Sequence, residues 1–140
     1  MRIYVAGKLC DAATVRAIQA ALIGAGHTIT YEWTKHIPVW RAMRQRNEPT
    51  AAKIVYKKLC GENDLKGVIC ADALVWLYHP DSRGAFVELG VALRAGIPIY
   101  VLKSTPYSDD DTVFLYLDGV TILQELSGVL ALLANAGSEG

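Results

Sequence analysis

Short apolar runs alternate along the chain with segments in which apolar residues recur at helical spacing. The runs are rich in β-branched and aromatic residues, which is typical of strands buried in a sheet. The run A-L-V-W-L-Y at 73–78 is apolar on both faces, as in a central parallel strand. The pattern predicts five strands, at residues 3–6, 28–33, 73–78 and 98–102 and a short one near Val120.

The segments between these strands favour helices. Apolar residues from Val15 to Ala25 share one face of the first segment, and Gly26 ends it. Residues 34–49 contain two prolines and are predicted to be irregular, and the tail 136–140 is predicted to fray. The predicted helices are 12–25, 50–59, a short turn at 65–70 after a break at Gly61, 84–95 and 123–134.

This alternation predicts the fold class α/β: a single-domain Rossmann/flavodoxin-like sandwich over residues 1–135, with a five-stranded, mostly parallel sheet. We expect the strand order 2-1-3-4-5, in which strands 1 and 3 are neighbours and the order reverses between them. Ligands bind such sheets beyond the carboxyl ends of the strands at this reversal. The loops at 7–9 and 79–88 are therefore expected to form the functional site.

The composition is that of a chain that folds into one domain. Its 140 residues are 52% hydrophobic and carry 14 basic and 14 acidic side chains. A neutral chain lacks the cationic field with which proteins bind nucleic acid polymers or anionic membranes. No apolar run is long enough to span a bilayer, and the chain starts directly on a strand, so we expect a cytoplasmic protein.

The cysteines and histidines show no spacing typical of metal ligands. Cys10, Cys60 and Cys70 form no C-x-x-C pair, and the histidines form no H-x-x-x-H pattern. We therefore expect free thiols, no metal site and no cofactor. A P-loop and a G-x-G-x-x-G are also absent, which disfavours an ATPase or a dinucleotide dehydrogenase.

The loop at 79–88 leads into a helix whose start is suited to bind an anion. Ser82 is a good N-cap, and Gly84 lets a ligand approach the first helical N–H groups. Glu88 follows one turn later among apolar residues, where an unpaired carboxylate is costly unless it has a function. The alternative is that Glu88 faces solvent or pairs with an arginine.

Three further side chains are candidates for the same crevice. Asp64 lies in G-E-N-D-L at 61–65, and Asp72 opens the central strand, where a capping or solvated role is the simpler interpretation. Tyr4 projects toward the crevice if side chains of the first strand alternate inward and outward. The alternative for Tyr4 is an ordinary core tyrosine.

Several motifs together resemble the nucleoside 2-deoxyribosyltransferase superfamily, which includes the deoxynucleoside 5′-monophosphate N-glycosidases. They are I-Y-V-A-G at 3–7, N-D-L at 63–65, A-D-A-L-V at 71–75, and S-R-G-A-F-V-E-L-G at 82–90 followed by G-I-P-I. The resemblance covers most of residues 3–102, whereas 34–60 and the tail resemble nothing in the superfamily. The turn Lys8-Leu9-Cys10 replaces the usual Pro- or Ser-containing turn, which leaves the base specificity open.

The resemblance implies a role for each catalytic candidate. Glu88 attacks the anomeric carbon, Tyr4 holds that carboxylate, and Asp64 contacts the sugar hydroxyls and assists protonation of the leaving base. Ser82 matches a serine that contacts phosphate in the monophosphate N-hydrolases, where free-nucleoside transferases commonly have aspartate.

The remaining candidates are expected to bind substrate. Gly7 and Gly84 lie in the two loops of the crevice, and Thr112 corresponds to a residue that completes the site of a neighbouring subunit. Aromatic side chains suit a planar nucleobase, although each is also a plausible core residue. The aromatic candidates are Trp33, Trp40 and Tyr78.

The predicted function is cleavage of the N-glycosidic bond of a (deoxy)nucleoside 5′-monophosphate or (deoxy)nucleoside through a covalent glycosyl-glutamate, with transfer to water or another base. Ser82, the helix N-terminus and the arginines at 41–46 favour a 5′-phosphate. Alternatives are base exchange on free nucleosides only and a non-catalytic nucleotide-sensing module. A lysine-decarboxylase-like phosphoribohydrolase is disfavoured because P-G-G-x-G-T-x-x-E is missing. The apolar face of the last helix predicts a homodimer or higher homo-oligomer.

Overall fold

The computed structural model describes residues 1–138, which form an α/β sandwich around one sheet. All strands pair in parallel, in the order β2-β1-β3-β4-β5, which confirms the predicted fold class and strand order. The strands are β1 (Arg2–Ala6), β2 (Thr28–Ile29), β3 (Ala73–Leu77), β4 (Ile99–Leu102) and β5 (Val120–Leu123).

Four of the five helices pack on the two faces of this sheet. Helices α3 and α4 pack against each other, α3 over β1 and α4 over β3 and β4, while α1 packs on β1 and β2 and α5 on β4 and β5. The helices are α1 (Ala12–Gly24), α2 (His36–Gln45), α3 (Thr50–Ile69), α4 (Arg83–Ala95) and α5 (Leu126–Ser138), with 3-10 turns at Leu9–Asp11, Trp33–Lys35 and Val113–Tyr116. Within residues 1–138, no helix is long and apolar enough to cross a membrane.

The two central strands carry the core and place the crevice. In β1 and β3, Tyr4 lies beside Leu74 and Ala6 beside Trp76, and all four side chains are fully buried. The chain leaves β1 toward β2 and leaves β3 toward β4, on opposite sides of the sheet. The loops after β1 and β3 therefore diverge and open a crevice at their carboxyl ends.

Residues 28–49 depart from the predicted elements. Strand β2 is only Thr28–Ile29, and Trp33 begins a 3-10 turn instead of ending a strand. The segment predicted to be irregular contains helix α2, which begins at His36. Pro38 lies in the first turn of α2, where the N–H that proline lacks has no intrahelical partner anyway.

Helix α3 is continuous, so the predicted break at Gly61 is wrong. A glycine inside a helix costs about 1 kcal/mol relative to alanine, and a long helix packed on α4 tolerates that cost. Gly61 is exposed, and a Cβ there would meet nothing within 4 Å. The continuous helix carries Asp64 across the edge of the crevice.

The last helix is shifted relative to its predicted position. Residue 123 belongs to β5, so α5 begins at Leu126, and it continues through Ser138 into the predicted frayed tail. Residues 139 and 140 lie outside the described residues. Val129 and Leu133 are fully buried, and Leu132 is 37% exposed. Because the apolar face of α5 packs on its own sheet, it does not support the predicted oligomer, which stays a prediction.

Candidate active site

A cavity of about 830 Å³ opens at the carboxyl ends of β1 and β3. The loop after β1 forms one wall, the start of α4 forms another, and α3 contributes a carboxylate. The sheet topology therefore places the cavity between the two loops that the sequence predicts. Six of the predicted site residues line it, namely Gly7, Trp33, Asp64, Ser82, Gly84 and Glu88.

Glu88 lies on the inner face of α4 and is only 9% exposed. Burial and the nearby Asp64 carboxyl raise the pKa of Glu88 to about 8, and the Tyr4 hydroxyl opposes this rise. Among residues 1–138 Glu88 forms no ion pair, and its Oε2 has no hydrogen-bond partner. The alternative of a solvated or arginine-paired Glu88 is therefore wrong.

Tyr4 is fully buried in β1, and its hydroxyl lowers the pKa of Glu88. Burial and the charges of Glu88 and Asp64 raise the pKa of Tyr4, so the phenol stays a neutral donor. Its Oη has no partner at hydrogen-bond distance within the described part of the chain. Tyr4 does not line the cavity, so its hydroxyl is available to donate to an ionised Glu88.

Gly67 of α3 packs against the ring of Tyr4, and the sequence analysis did not identify this contact. A Cβ on Gly67 would lie 2.9 Å from Tyr4 Cδ2 and 2.8 Å from Tyr31 Cβ. Only glycine therefore lets α3 approach the ring of Tyr4 this closely. No local signal distinguishes Gly67 from the exposed Gly61, because the contact is made between distant parts of the chain.

Asp64 lies on α3 and lines the cavity together with the loop after β1. Burial raises the pKa of Asp64 to about 6, and its Oδ1 has no hydrogen-bond partner among residues 1–138. Since the charge of Asp64 also raises the pKa of Glu88, the two carboxyls titrate as a pair. Between these two values the pair holds one proton.

The start of α4 presents polar groups to the same cavity. Ser82 occupies the N-cap position and is 2% exposed, yet its Oγ makes no capping hydrogen bond. A Cβ on Gly84 would meet nothing within 4 Å, which leaves room for a ligand near the first N–H groups. Lys8 and Arg83 line the cavity, whereas the arginines at 41–46 do not. The positive charge near the site therefore comes from residues that the sequence did not single out.

Buried polar atoms without partners are concentrated at this cavity. Such atoms are rare in folded proteins, and each needs an explanation. Seven side chains within residues 1–138 have one, and four of the seven are predicted site residues: Tyr4, Asp64, Ser82 and Glu88. Three of them, Asp64, Ser82 and Glu88, line the cavity, which is therefore suited to a polar ligand that satisfies their atoms.

A second cavity of about 360 Å³ shares Leu9, Trp33 and Asp64 with the first. The indole N–H of Trp33 donates to the Val5 carbonyl at 2.8 Å, which fixes the ring as a wall. Trp40 adds a second aromatic surface. Aromatic and aliphatic walls beside the carboxylates suit a planar ring such as a nucleobase.

His36 also lines the second cavity, and sequence reasoning missed it. Its Nε2 is hydrogen-bonded to the Tyr31 hydroxyl, and burial lowers the pKa of His36, so the ring is neutral near pH 7. The segment around His36 looked irregular, although it begins a helix. Periodicity from 36 to 45 was the signal that could have found it.

Besides Tyr4, three candidates line neither cavity. Asp72 pairs with Arg2 at 3.1 Å on the surface, in agreement with its simpler structural interpretation. Tyr78 packs edge-on against Trp76. Thr112 precedes the 3-10 turn Val113–Tyr116 and lines neither cavity of its own chain. Its contribution to a neighbouring subunit stays a prediction.

Comparison with known proteins supports the resemblance at the level of the fold. No known family profile matches the sequence, and no curated protein matches it. The structure is similar to that of a 2-deoxyribosyltransferase from the psychrotolerant bacterium Bacillus psychrosaccharolyticus, with a TM-score of 0.66 over 93% of this chain and 90% of that one, at 18% identity. The chain therefore shares its single-domain fold with this 2-deoxyribosyltransferase.

Proposed function

We propose that this protein cleaves the N-glycosidic bond of a (deoxy)nucleoside 5′-monophosphate or (deoxy)nucleoside through a covalent glycosyl-Glu88 intermediate. The supporting observation is that the unpartnered polar atoms of Asp64, Ser82 and Glu88 belong to residues that line one cavity, while the buried Tyr4 hydroxyl lowers the pKa of Glu88. Sugar hydroxyls are suitable partners for such atoms. As the N-glycosidic bond breaks, the anomeric carbon becomes positive, and a buried carboxylate stabilises that charge.

In the first step a carboxylate oxygen of Glu88 bonds to the anomeric carbon as the bond to the base breaks. The base leaves with the bonding electron pair and takes a proton from the Asp64 carboxyl. In the second step water, or a second base, attacks the anomeric carbon on the face that the first base left. The attacking group gives its proton to Asp64, and the Glu88 carboxylate is released with net retention.

This chemistry needs Glu88 ionised and Asp64 protonated, the reverse of their order in the free protein. The pKa of Glu88 is about 8 and that of Asp64 about 6, so the shared proton lies mainly on Glu88 before substrate binds. A developing positive charge next to Glu88 lowers its pKa, and donation from the Tyr4 hydroxyl acts in the same direction. The substrate thus moves the shared proton to Asp64.

The two cavities divide the substrate between them. The smaller one, with Trp33 and Trp40, suits the base, and Asp64 lies where the two cavities meet. The larger one extends to Ser82 and the N-terminus of α4, where Arg83 adds positive charge and Lys8 is paired with Asp81 at 3.9 Å. Helix N–H groups and cations favour a phosphate, which supports a preference for the 5′-monophosphate.

A free-nucleoside transferase is the second candidate function. The structural neighbour is a 2-deoxyribosyltransferase, described as a biocatalyst for the synthesis of antiviral and antitumoral nucleosides. If this chain shares the activity that the neighbour's name gives, the acceptor is a second base in place of water. A nucleotide-sensing module without turnover is less well supported, because binding alone does not require a buried, unpaired Glu88.

The decisive experiment is incubation with a panel of nucleosides and 5′-monophosphates, with and without an acceptor base, followed by chromatography of the free bases. We expect base release by the wild type and, after rapid quenching, an intact mass increased by one glycosyl group. Glu88→Gln should show neither, whereas Glu62→Gln, on the exposed face of α3, should behave as the wild type. Tight binding without any base release by the wild type would favour the sensing module.

Ser82 distinguishes the two candidate substrates. Two charge-assisted hydrogen bonds to phosphate, each about 1.5–3 kcal/mol, should favour the monophosphate over the nucleoside by about a hundredfold in kcat/KM. Ser82→Asp places a carboxylate where the phosphate binds and should impair monophosphate use selectively. Ser82→Ala, the matched control, removes a hydroxyl without adding repulsion. Equal use of both substrates by the wild type would contradict the monophosphate preference.

We also propose that Thr112 contributes to the site of a second copy in a homo-oligomer. Apolar side chains exposed just after Thr112 favour an interface there, with Val113 74% and Phe114 49% exposed. Phe114→Asp should shift the oligomer toward monomer in light scattering and lower activity with it. A fully active wild-type monomer at micromolar concentration would contradict the proposal.

A further inference from the structure

We propose that Cys10, Asp11 and His79 bind a thiophilic divalent cation, such as Zn²⁺, at the rim of the cavity that contains Glu88. Their thiol, carboxylate and imidazole ligand atoms all lie within 4.8 Å of one another. Cys10 and Asp11 belong to the 3-10 turn after β1, and His79 follows β3. The spacing of cysteines and histidines does not predict this site, because its ligands lie in the loops after β1 and β3, which are far apart in the sequence.

Cys10 and Asp11 are free to bind a ligand, and His79 makes one exposed hydrogen bond that an ion can replace. Cys10 is an exposed free thiol. Asp11 occupies the N-cap position of α1 but makes no capping hydrogen bond, and no ion pair among residues 1–138 uses its carboxylate. The Nδ1 of His79 accepts an exposed hydrogen bond from the Asp81 N–H at 3.1 Å. The ring gives up this bond when it binds an ion, because an ion on Nδ1 displaces it and an ion on Nε2 moves the ring proton to Nδ1. The Asp11 carboxylate, which could have capped α1, is therefore available to another partner.

The donor set determines the class of metal. Thiolate and imidazole favour Zn²⁺ and related transition metals over Mg²⁺ or Ca²⁺, which prefer oxygen ligands. Tetrahedral ligands of Zn²⁺ lie about 3.3–3.8 Å apart, so the side chains must close by about 1 Å, which exposed side chains achieve by small rotations. On binding, the Cys10 thiol releases its proton to solvent, and His79 binds as the neutral ring. Water occupies the fourth position.

The position of the ion indicates what it does. Lys8 and Leu9 precede the Cys10–Asp11 ligands, Pro80 follows His79, and all three line the large cavity. An ion at this rim fixes the separation of the two loops that surround the crevice. The Glu88 and Asp64 carboxyls are not ligands of this ion. The metal site and the proposed function can therefore fail independently.

Titration of the purified chain with Co²⁺ tests the site without any activity assay. Tetrahedral Co²⁺ bound to a thiolate gives visible ligand-field bands and a near-ultraviolet charge-transfer band. We expect one Co²⁺ per chain, displaced by Zn²⁺, and a higher Tm with Zn²⁺. Cys10→Ala should abolish the charge-transfer band, and His79→Ala should raise the Kd by about tenfold or more. Cys70→Ala, the matched exposed thiol, should bind as the wild type does.

Absence of the charge-transfer band in the wild type would overturn the proposal. Equal Co²⁺ affinity of Cys10→Ala and the wild type would do the same, as would equal losses in Cys10→Ala and Cys70→Ala. Because each substitution is at an exposed or half-buried loop position, circular dichroism of the variants should match that of the wild type.

Discussion

Two buried polar clusters lie at the carboxyl ends of the sheet, and they differ in how their charges are satisfied. At the end of β4, the Nζ of Lys103 lies 3.1 Å from Asp111 Oδ2 and donates to the carbonyl and hydroxyl of Thr105 at 2.6 and 2.9 Å. The same Asp111 oxygen accepts from the Ser108 N–H at 2.8 Å and the Tyr116 hydroxyl at 2.6 Å. This cluster is fully paired.

The cluster between β1 and α4 contrasts with it. Tyr4, Asp64 and Glu88 each retain a buried atom without a partner, and burial raises all three pKa values. Burying a polar group costs free energy in both clusters, but only the first recovers it within the chain. The paired cluster therefore serves the fold, and the unpaired one stores interactions for a ligand. Substitutions should change stability in opposite directions in the two clusters.

The largest expected effect is that of Glu88→Gln. We expect kcat/KM to fall at least about 10³-fold, or about 4 kcal/mol, because the amide cannot bond to the anomeric carbon. The pKa of Glu88 is raised from 4.5 to about 8, so its ionisation destabilises the folded state progressively as the pH rises between these values. At pH 9 the variant should be about 2–4 kcal/mol more stable by urea denaturation. If Glu88→Gln retained more than a tenth of the wild-type kcat/KM, or were less stable than the wild type at pH 9, the two clusters would not differ as described.

Tyr4→Phe should also lower kcat/KM and raise the stability of the folded state, by smaller amounts than Glu88→Gln. The hydroxyl positions and favours the Glu88 carboxylate, so its loss should lower kcat/KM by about 10–100-fold. The folded state should become about 1 kcal/mol more stable, since a buried hydroxyl without a partner is removed. Kinetics and thermal unfolding on one preparation measure both effects. Unchanged kinetics would make Tyr4 an ordinary core residue.

The pH dependence of kcat/KM reports the shared proton of Asp64 and Glu88. We expect a bell-shaped profile with limbs near 6 and 8, falling about tenfold per pH unit beyond each limb. Below the lower limb both carboxyls are protonated and no nucleophile remains, and above the upper limb no acid remains for the leaving base. Asp64→Asn removes the neighbouring charge and should lower the pKa of Glu88. A flat profile from pH 5 to 9, as in a site without the pair, would contradict the mechanism.

Lys103→Met should lower stability, whereas the Glu88 and Tyr4 substitutions should raise it, and it should leave activity unchanged. The variant leaves the Asp111 carboxylate without its cation, so Tm should fall by more than about 4 °C. Lys58→Met, which breaks the exposed pair with Glu62, should change Tm by less than about 2 °C. A rise in Tm on Lys103 substitution would mean that pairing does not distinguish the two clusters.

The sequence determined the features that depend on local pattern and chain order. Buried strands, turn glycines and helical spacing were sufficient for the strand order, and this order placed Gly7 and Ser82 at one crevice. The motif at 82–90 marked Glu88 because a lone carboxylate in an apolar helix is conspicuous. The positions of Tyr4 and Asp64 followed from the same topology and from the resemblance.

Only the tertiary structure decided which groups have partners. Lys103 and Glu88 are both charged residues in apolar surroundings of the sequence. Lys103 pairs with Asp111 from a loop that returns to β4, whereas Glu88 Oε2 has no hydrogen-bond partner. The requirement for glycine at Gly67 likewise depends on where a distant strand places a tyrosine ring. Local periodicity reports which face of an element is buried. What lies against that face depends on packing between distant segments, which no short window of sequence contains.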